Sequence, residues 1–384
     1  MGGGGRRLCA LGVVASVTVA LLVSGCSPGD GSTDPTASPS TGGSSATAPT
    51  TPASSDSSPS RSGGPSDAPT VVDAVPDLLP WKLAPGKVAD TVTVGAGWTL
   101  TVAADSRSVT LDGDRTTRIP IPAASTVTDT MLSQAYAVVV AGDRRMTQPD
   151  RATVIELASG DTWYVDGRSD HGTVAGGSWA LDQERLWHAT YGPGRAYCLA
   201  AVDLADQSSD IAWCADGQHG FTNVEAGPGG TSLMMFDDAR PSCRTLQELT
   251  DADVTPFPGV TDCRGWDGLL LAGGRVWTVP TKENRIEDAE VFASIGDAFY
   301  DLGPGRSGSL VACDGAAYFA RDPASDGGAA QVLRWTDDGT LSVVYESPAG
   351  GESAIAGAPR CGEGHLTVSV LSSKGDAQVT SVTS

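Results

Sequence analysis

Four histidines, His171, His188, His219 and His365, are the side chains best suited to proton transfer near neutral pH, and no two stand at metal-ligand spacing. His188 follows Trp187 in an apolar run, so it belongs to a strand and faces either a channel or a packed interface. Nucleophile patterns are incomplete. Gly176-Gly-Ser-Trp-Ala lacks the last glycine of a G-x-S-x-G elbow. Gly303-Pro-Gly-Arg-Ser-Gly has no strand–helix context and is no phosphate cradle. Asp237-Asp238 and Asp337-Asp338 are adjacent pairs, and neighbours on a strand face opposite sides, so neither is a ready acid–base couple. Trp335-Thr-Asp-Asp-Gly-Thr-Leu fails the sialidase Asp-box register, because Gly339 directly follows Asp338 and no Trp closes it. No catalytic residue, resident metal or cofactor is expected, with calcium left open for an enzymatic reading.

The elements that would position these groups are strands. The chain has 384 residues, 48 Gly and 24 Pro, and a net charge of −21, which excludes a basic nucleic-acid footprint. From about Val71 the pattern becomes short apolar runs separated by Gly, Asp and Pro. Trp98-Thr-Leu-Thr-Val, Ala152-Thr-Val-Ile-Glu-Leu and Leu366-Thr-Val-Ser-Val alternate as strands do. Ser159-Gly160-Asp161 and Asp338-Gly339 read as hairpin turns.

A repeat runs through these strands. A strand with a bulky centre recurs at Trp98, Val138, Trp187, Met234, Trp277, Tyr318 and Leu366, every 40–49 residues. A small-residue strand precedes most of them, and two more strands follow. This arrangement resembles a β-propeller, whose crowded inner strand must be small and whose second strand packs between blades. The resemblance implies an all-β fold of seven four-stranded blades over residues 71–384. The last repeat supplies three strands, Ser353–Pro359, Leu366–Leu371 and Gln378–Val382, so the segment around Val71–Trp81 is expected to complete it, closing the fold with both termini. A two-sheet sandwich, or two smaller β domains, is the rival architecture.

In a propeller, the loops joining second to third strands emerge on one face. Here they carry Arg144, Arg145, Tyr191, Arg195, Asp237, Asp238, Arg240, Lys282, Arg285 and Arg321. Arg and Tyr anchor partner surfaces, so this face is the candidate binding face.

Six of the eight cysteines follow the N-terminal region, an even number that suits an oxidising compartment. Cys198 opens the third strand of its repeat and Cys214 closes the fourth, ends that face each other in an antiparallel hairpin. Cys243 and Cys263 hold matching positions in the next repeat. Cys313 and Cys361 remain, each just before the turn into a second strand, and their bond would staple neighbouring blades. Scattered thiolates without C-x-x-C spacing argue against a metal site.

At the N-terminus, Arg6-Arg7 precedes an uncharged run from Leu8 to Val23, too short to span a membrane comfortably. The run ends in Val23-Ser24-Gly25-Cys26, which resembles a bacterial lipobox. That resemblance implies a signal peptide over 1–25, lipidation of Cys26 and palmitate among the attached lipids. Whether export is general secretory or twin-arginine stays open. Residues 26–70 form a tether. Of the 44 after Cys26, 13 are Ser, 7 Thr and 8 Pro, so nothing there builds a core. As a coil it spans about 35–40 Å. The chain is thus expected on the extracytoplasmic face of the cell membrane, touching it only through the anchor.

Two functional readings follow. The first is a non-catalytic module that binds or scaffolds an envelope protein or glycan. The alternative is an envelope propeller hydrolase or lyase acting on a sugar or lactone, which requires carboxylates or His188 converging on the channel mouth. A quinone-binding redox propeller is a third reading, for which the chain is short.

Overall fold

The computed structural model describes residues 68–383, apart from Gln218, Glu283, Asn284, 350–353 and Ser373. The residues expected to form a signal peptide (1–25), the lipidated Cys26 and the tether up to residue 67 lie outside the described residues.

Strands form where the sequence alternates. In Trp98–Val102 the indole, Leu100 and Val102 are buried, while the intervening threonines are half-buried. Where neighbouring sheets cover both faces the alternation disappears, and Ala137, Val138, Val139 and Val140 are all fully buried. Among the described residues the only helical element is a single 3-10 turn, Pro193–Arg195. The expected Asp338-Gly339 turn is present. Gly339 takes φ +84, and Asp338 accepts hydrogen bonds from the Thr336 hydroxyl at 2.6 Å and the Thr340 amide at 3.0 Å.

Hydrogen bonding sorts the strands into five sheets of four or five strands and one of nine. This corrects the expectation of seven separate four-stranded blades. The nine-stranded sheet contains the 125–165 strands and the last strands of the chain, joined through one parallel pair, Leu132 with Gly362. Gly362 suits that approach, since a Cβ there would fall 3.1 Å from the Leu132 side chain and 2.6 Å from the Val94 carbonyl oxygen of the neighbouring sheet.

The first strands touch one another in chain order. The series runs from Thr91–Gly95 through Ser125–Leu132, Trp179–Leu181, His219–Gly227, Gly268–Leu271 and Val311–Cys313 to Arg360–Gly362, which returns to Thr91–Gly95. The bulky repeat centres all lie on second strands and are buried, from Trp98 to Leu366. They fill apolar layers between successive sheets. In one such layer Trp335 is fully buried with Tyr300 against it, ring centroids 5.2 Å apart.

The N-terminal segment departs from expectation. Thr70–Val71 pairs parallel with Tyr300–Asp301, and Val75–Pro76 pairs parallel with Ser342–Val343. Residues 71–81 therefore add to two earlier sheets, because those outer strands leave unpaired backbone that an extended segment satisfies. Lys82–Leu83 then pairs antiparallel with Val379 and Thr380. In the last repeat the small-residue strand is also interrupted. Ile355–Ala356 and Arg360–Gly362 pair with opposite ends of His365–Leu371, with Pro359 between them. Trp81 fixes the strap. Its indole N–H donates to the Val344 carbonyl at 2.7 Å and its ring meets Tyr345 edge-on at 5.1 Å, while Asp77 pairs with Arg334. Trp81→Ala is expected to cost about 3 kcal/mol of unfolding free energy, read from urea midpoints.

The cysteines bond as the repeat suggested: Cys198–Cys214, Cys243–Cys263 and Cys313–Cys361.

Candidate functional site

The first strands enclose a cavity of about 560 Å³. Asp129 on Ser125–Leu132 and Glu225 on His219–Gly227 line it, and Asp267 stands just ahead of Gly268–Leu271. The mouth includes turns between first and second strands, at Asp182-Gln183, Asp314-Gly315 and Glu363-Gly364. Arg360 lines the same space but spends its guanidinium elsewhere, donating to the Val92 carbonyl at 2.9 Å and the Gln378 side-chain carbonyl at 3.3 Å. The channel is therefore acidic.

Burial sets the protonation of these acids. Desolvation pushes Asp129 up to about 6 against one favourable hydrogen bond, from the Thr130 amide at 2.7 Å. Asp267 is also pushed up to about 6 by burial. It accepts from the Gly308 amide, the Thr278 hydroxyl at 3.1 Å and the Asn223 side-chain amide at 3.3 Å. Glu225 is raised well above the usual range, first by burial and then by repulsion from Asp267 and Asp129. Among the described residues no group of three or more His, Cys, Asp or Glu is arranged to hold a metal ion.

His188 does not face the channel. It is fully buried between two sheets, opposite Trp179 and stacked on its ring at 5.2 Å. Its Nδ1–H donates to the Ala189 carbonyl at 3.0 Å, and burial lowers its pKa to about 4. It is a neutral packing residue, placed too far inside for substrate. His365 follows the Glu363-Gly364 turn at the channel mouth, with Nδ1 3.1 Å from the Glu363 carbonyl.

Loops joining second to third strands lie at the other end of those strands from the channel turns, as antiparallel pairing requires. Several residues expected to be free on this face serve the fold instead. Arg321 donates to the Leu302 and Pro304 carbonyls at 2.6 and 2.8 Å, because it bridges two sheets. Asp237 caps its own loop, accepting from the Cys243 amide at 2.8 Å. Arg144 donates to the Ala123 carbonyl at 3.1 Å, and Arg285 pairs with Asp288 at 2.9 Å. Arg145, Tyr191, Arg195, Asp238, Arg240 and Lys282 remain exposed.

Sequence reasoning missed Met146, which is 66 % exposed; Tyr191, on the next such loop, is 56 % exposed. The Met146 methyl lies over Gly176, in the connection whose Gly172 carbonyl accepts the Thr190 hydroxyl at 2.7 Å. One connection thus links the Met146 and Tyr191 loops. Behind Tyr191 the rings of Tyr197 and Phe221 continue inward, at 6.0 and 4.6 Å steps. The channel carboxylates were missed too. Their only sequence signal was an acid inside an otherwise strand-forming run, as in Thr126-Val-Thr-Asp129-Thr-Met-Leu.

No family model and no curated protein matches the sequence. Solved structures do match in shape. The β-propeller domain of the Trilobed protease from Pyrococcus furiosus is 8 % identical with a TM-score of 0.50, over 77 % of this chain and 95 % of that one. A prolyl endopeptidase is 11 % identical with a TM-score of 0.48, and the alignment spans 53 % of its length. An oligogalacturonate lyase from Vibrio parahaemolyticus is 9 % identical with a TM-score of 0.41, over 60 % of this chain and 74 % of that one. At such identities the likeness concerns fold alone. The class is an all-β, disulfide-bonded β-propeller.

Proposed function

We propose that this protein is a lipid-anchored, extracytoplasmic propeller that holds a protein partner at the cell envelope through the loops joining its second and third strands. The observation that carries the reading is the exposure of Met146 and Tyr191 on loops of this face, with packed aromatic rings behind Tyr191 and with Arg145 and Arg195 close by in sequence. Tyr, Met and Arg are enriched at protein interfaces, and a buttressed tyrosine loses little side-chain entropy on binding. A lipid on Cys26 and a Ser/Thr/Pro tether would keep that face available to an envelope partner. Met146→Ala with Tyr191→Ala is expected to reduce partner capture at least tenfold with unchanged thermal unfolding, measured by quantitative pull-down from envelope extracts. Unchanged capture by the folded variant would contradict the reading.

A second reading, an envelope hydrolase or lyase, draws on the channel acids. A carboxyl held protonated near neutral pH can donate a proton to a leaving oxygen, and Glu225 stands beside Asp129 and Asp267. Turnover of sugar or lactone substrates that vanishes in Glu225→Gln would select this reading over the first.

A further inference from the structure

A second cavity, of about 650 Å³, lies away from the channel, between the 257–265 loop and the 268–306 sheet. Its size is that of a small-ligand site. Trp277, Phe292 and Phe299 form an aromatic floor, with the Phe292 and Phe299 ring centroids 6.0 and 6.3 Å from that of Trp277. Val279 and Pro280 extend the apolar wall. The facing loop carries Gly259, Thr261 and Arg264 and is pinned by the Cys243–Cys263 bond. Gly259 lets the loop close over Phe299, since a Cβ there would fall 2.2 Å from the ring.

Two charged groups line it: Arg264 is exposed on the loop, and Glu290, in the sheet wall, has no evident structural task. Glu290 is half-buried, and among the described residues it makes no hydrogen bond or ion pair. Burial raises its pKa, Asp301 raises it further, and Arg321 offsets this in part. Every other half-buried acid discussed above is either hydrogen-bonded or part of the channel cluster. A lone carboxylate beside an aromatic surface is complementary to a cation with apolar substituents. The ring faces attract positive charge, the methyl groups pack on them, and the carboxylate neutralises the head.

We propose that this cavity binds a small soluble alkylammonium compound, with Glu290 as counter-ion and Phe292 and Phe299 as the ring surface. The site is separate from the loop face and does not depend on the partner reading.

Isothermal titration of the oxidised full chain with choline tests it, alongside 3,3-dimethyl-1-butanol, which has the same shape without the charge. Choline is expected to bind, at least tenfold more tightly than the neutral isostere. Glu290→Gln should weaken choline at least tenfold while leaving thermal unfolding and the isostere unchanged. Phe299→Leu should weaken both ligands. Equal binding of the two compounds, or full choline affinity in Glu290→Gln, would overturn the proposal. A silent choline titration would overturn it as well, including one accompanied by sedimentation with phosphatidylcholine vesicles, since that would place the chemistry on a membrane headgroup.

Discussion

Replacing Cys313 and Cys361 together by serine should lower the unfolding free energy by about 4 kcal/mol, the largest single effect expected in the molecule. The bond closes a loop of 48 residues, against 16 for Cys198–Cys214, whose loss should cost about 3 kcal/mol. Loop length is only part of the argument. Cys313 ends the first strand of the 311–346 sheet and Cys361 lies in the first strand of the next set, so the bond ties two neighbours on the ring around the cavity. Cys198 and Cys214 sit directly opposite each other within one sheet, where the hairpin already holds them. Urea unfolding of the two double variants, with matched slopes, measures the difference. Equal losses would mean that the inter-sheet tie adds nothing beyond its hairpin counterpart.

Stability should also depend on pH in two opposed ways, and single substitutions separate them. Asp267 binds its proton more tightly in the folded chain, where its pKa is about 6, than in the unfolded chain near 3.8. Its contribution is complete below pH 3.8 and is lost as pH rises through about 6. His188 behaves conversely. Its folded pKa of about 4 lies below the ordinary 6.5, so its contribution is complete above 6.5 and is lost as pH falls through about 4. Each shift corresponds to about 3 kcal/mol for groups buried this deeply. Relative to the natural chain, Asp267→Asn should therefore gain about 3 kcal/mol between pH 4 and pH 7. His188→Phe should lose a similar amount over the same interval, because the natural chain recovers stability there and the variant has nothing to recover. Asp129 and Glu225 add to the alkaline loss in the direction of Asp267. Denaturant titrations at fixed ionic strength give these differences. A pH-independent gap between either variant and the natural chain would show that the buried group keeps its ordinary pKa.

Most of the architecture was legible because it rests on short-range signals. The period-two pattern at Trp98–Val102, the bulky second-strand centres and the hairpin glycines are local consequences of strand geometry, and they repeat. The cysteine pairing was legible for the same reason, since position within the repeat determined which thiols face each other. Long-range placement was less so. Nothing in Val71–Trp81 says that it will run along the outer strands of two earlier sheets, because any open sheet edge satisfies an extended segment equally well. Nor does sequence show that Gly362 will pair with Leu132 and so merge two strand sets into one sheet.

Site residues were the least legible, because roles depend on neighbours distant in the chain. Arg321 and Arg285 looked alike as loop cations. One is drawn inward by the Leu302 and Pro304 carbonyls, and the other pairs with acids on its own strand. Asp129, Glu225 and Asp267 belong to three different repeats, and only the ring of first strands brings them together. His188, the most conspicuous candidate base, turns out to be a ring stacked on Trp179 in an inter-sheet layer. Its neighbour Trp187 was the informative residue, since it already marked that strand as one that packs between blades.

The most direct test of the loop face as the working surface is site-specific photocrosslinking on intact cells. A photoreactive phenylalanine placed at Tyr191 in the full chain would be compared with the same group at Gln183, on the channel-side turn at the opposite end. The expected result is a discrete adduct from position 191 that is absent from position 183 and diminished by Met146→Ala. No adduct at 191, or equal adducts at both positions, would contradict the account.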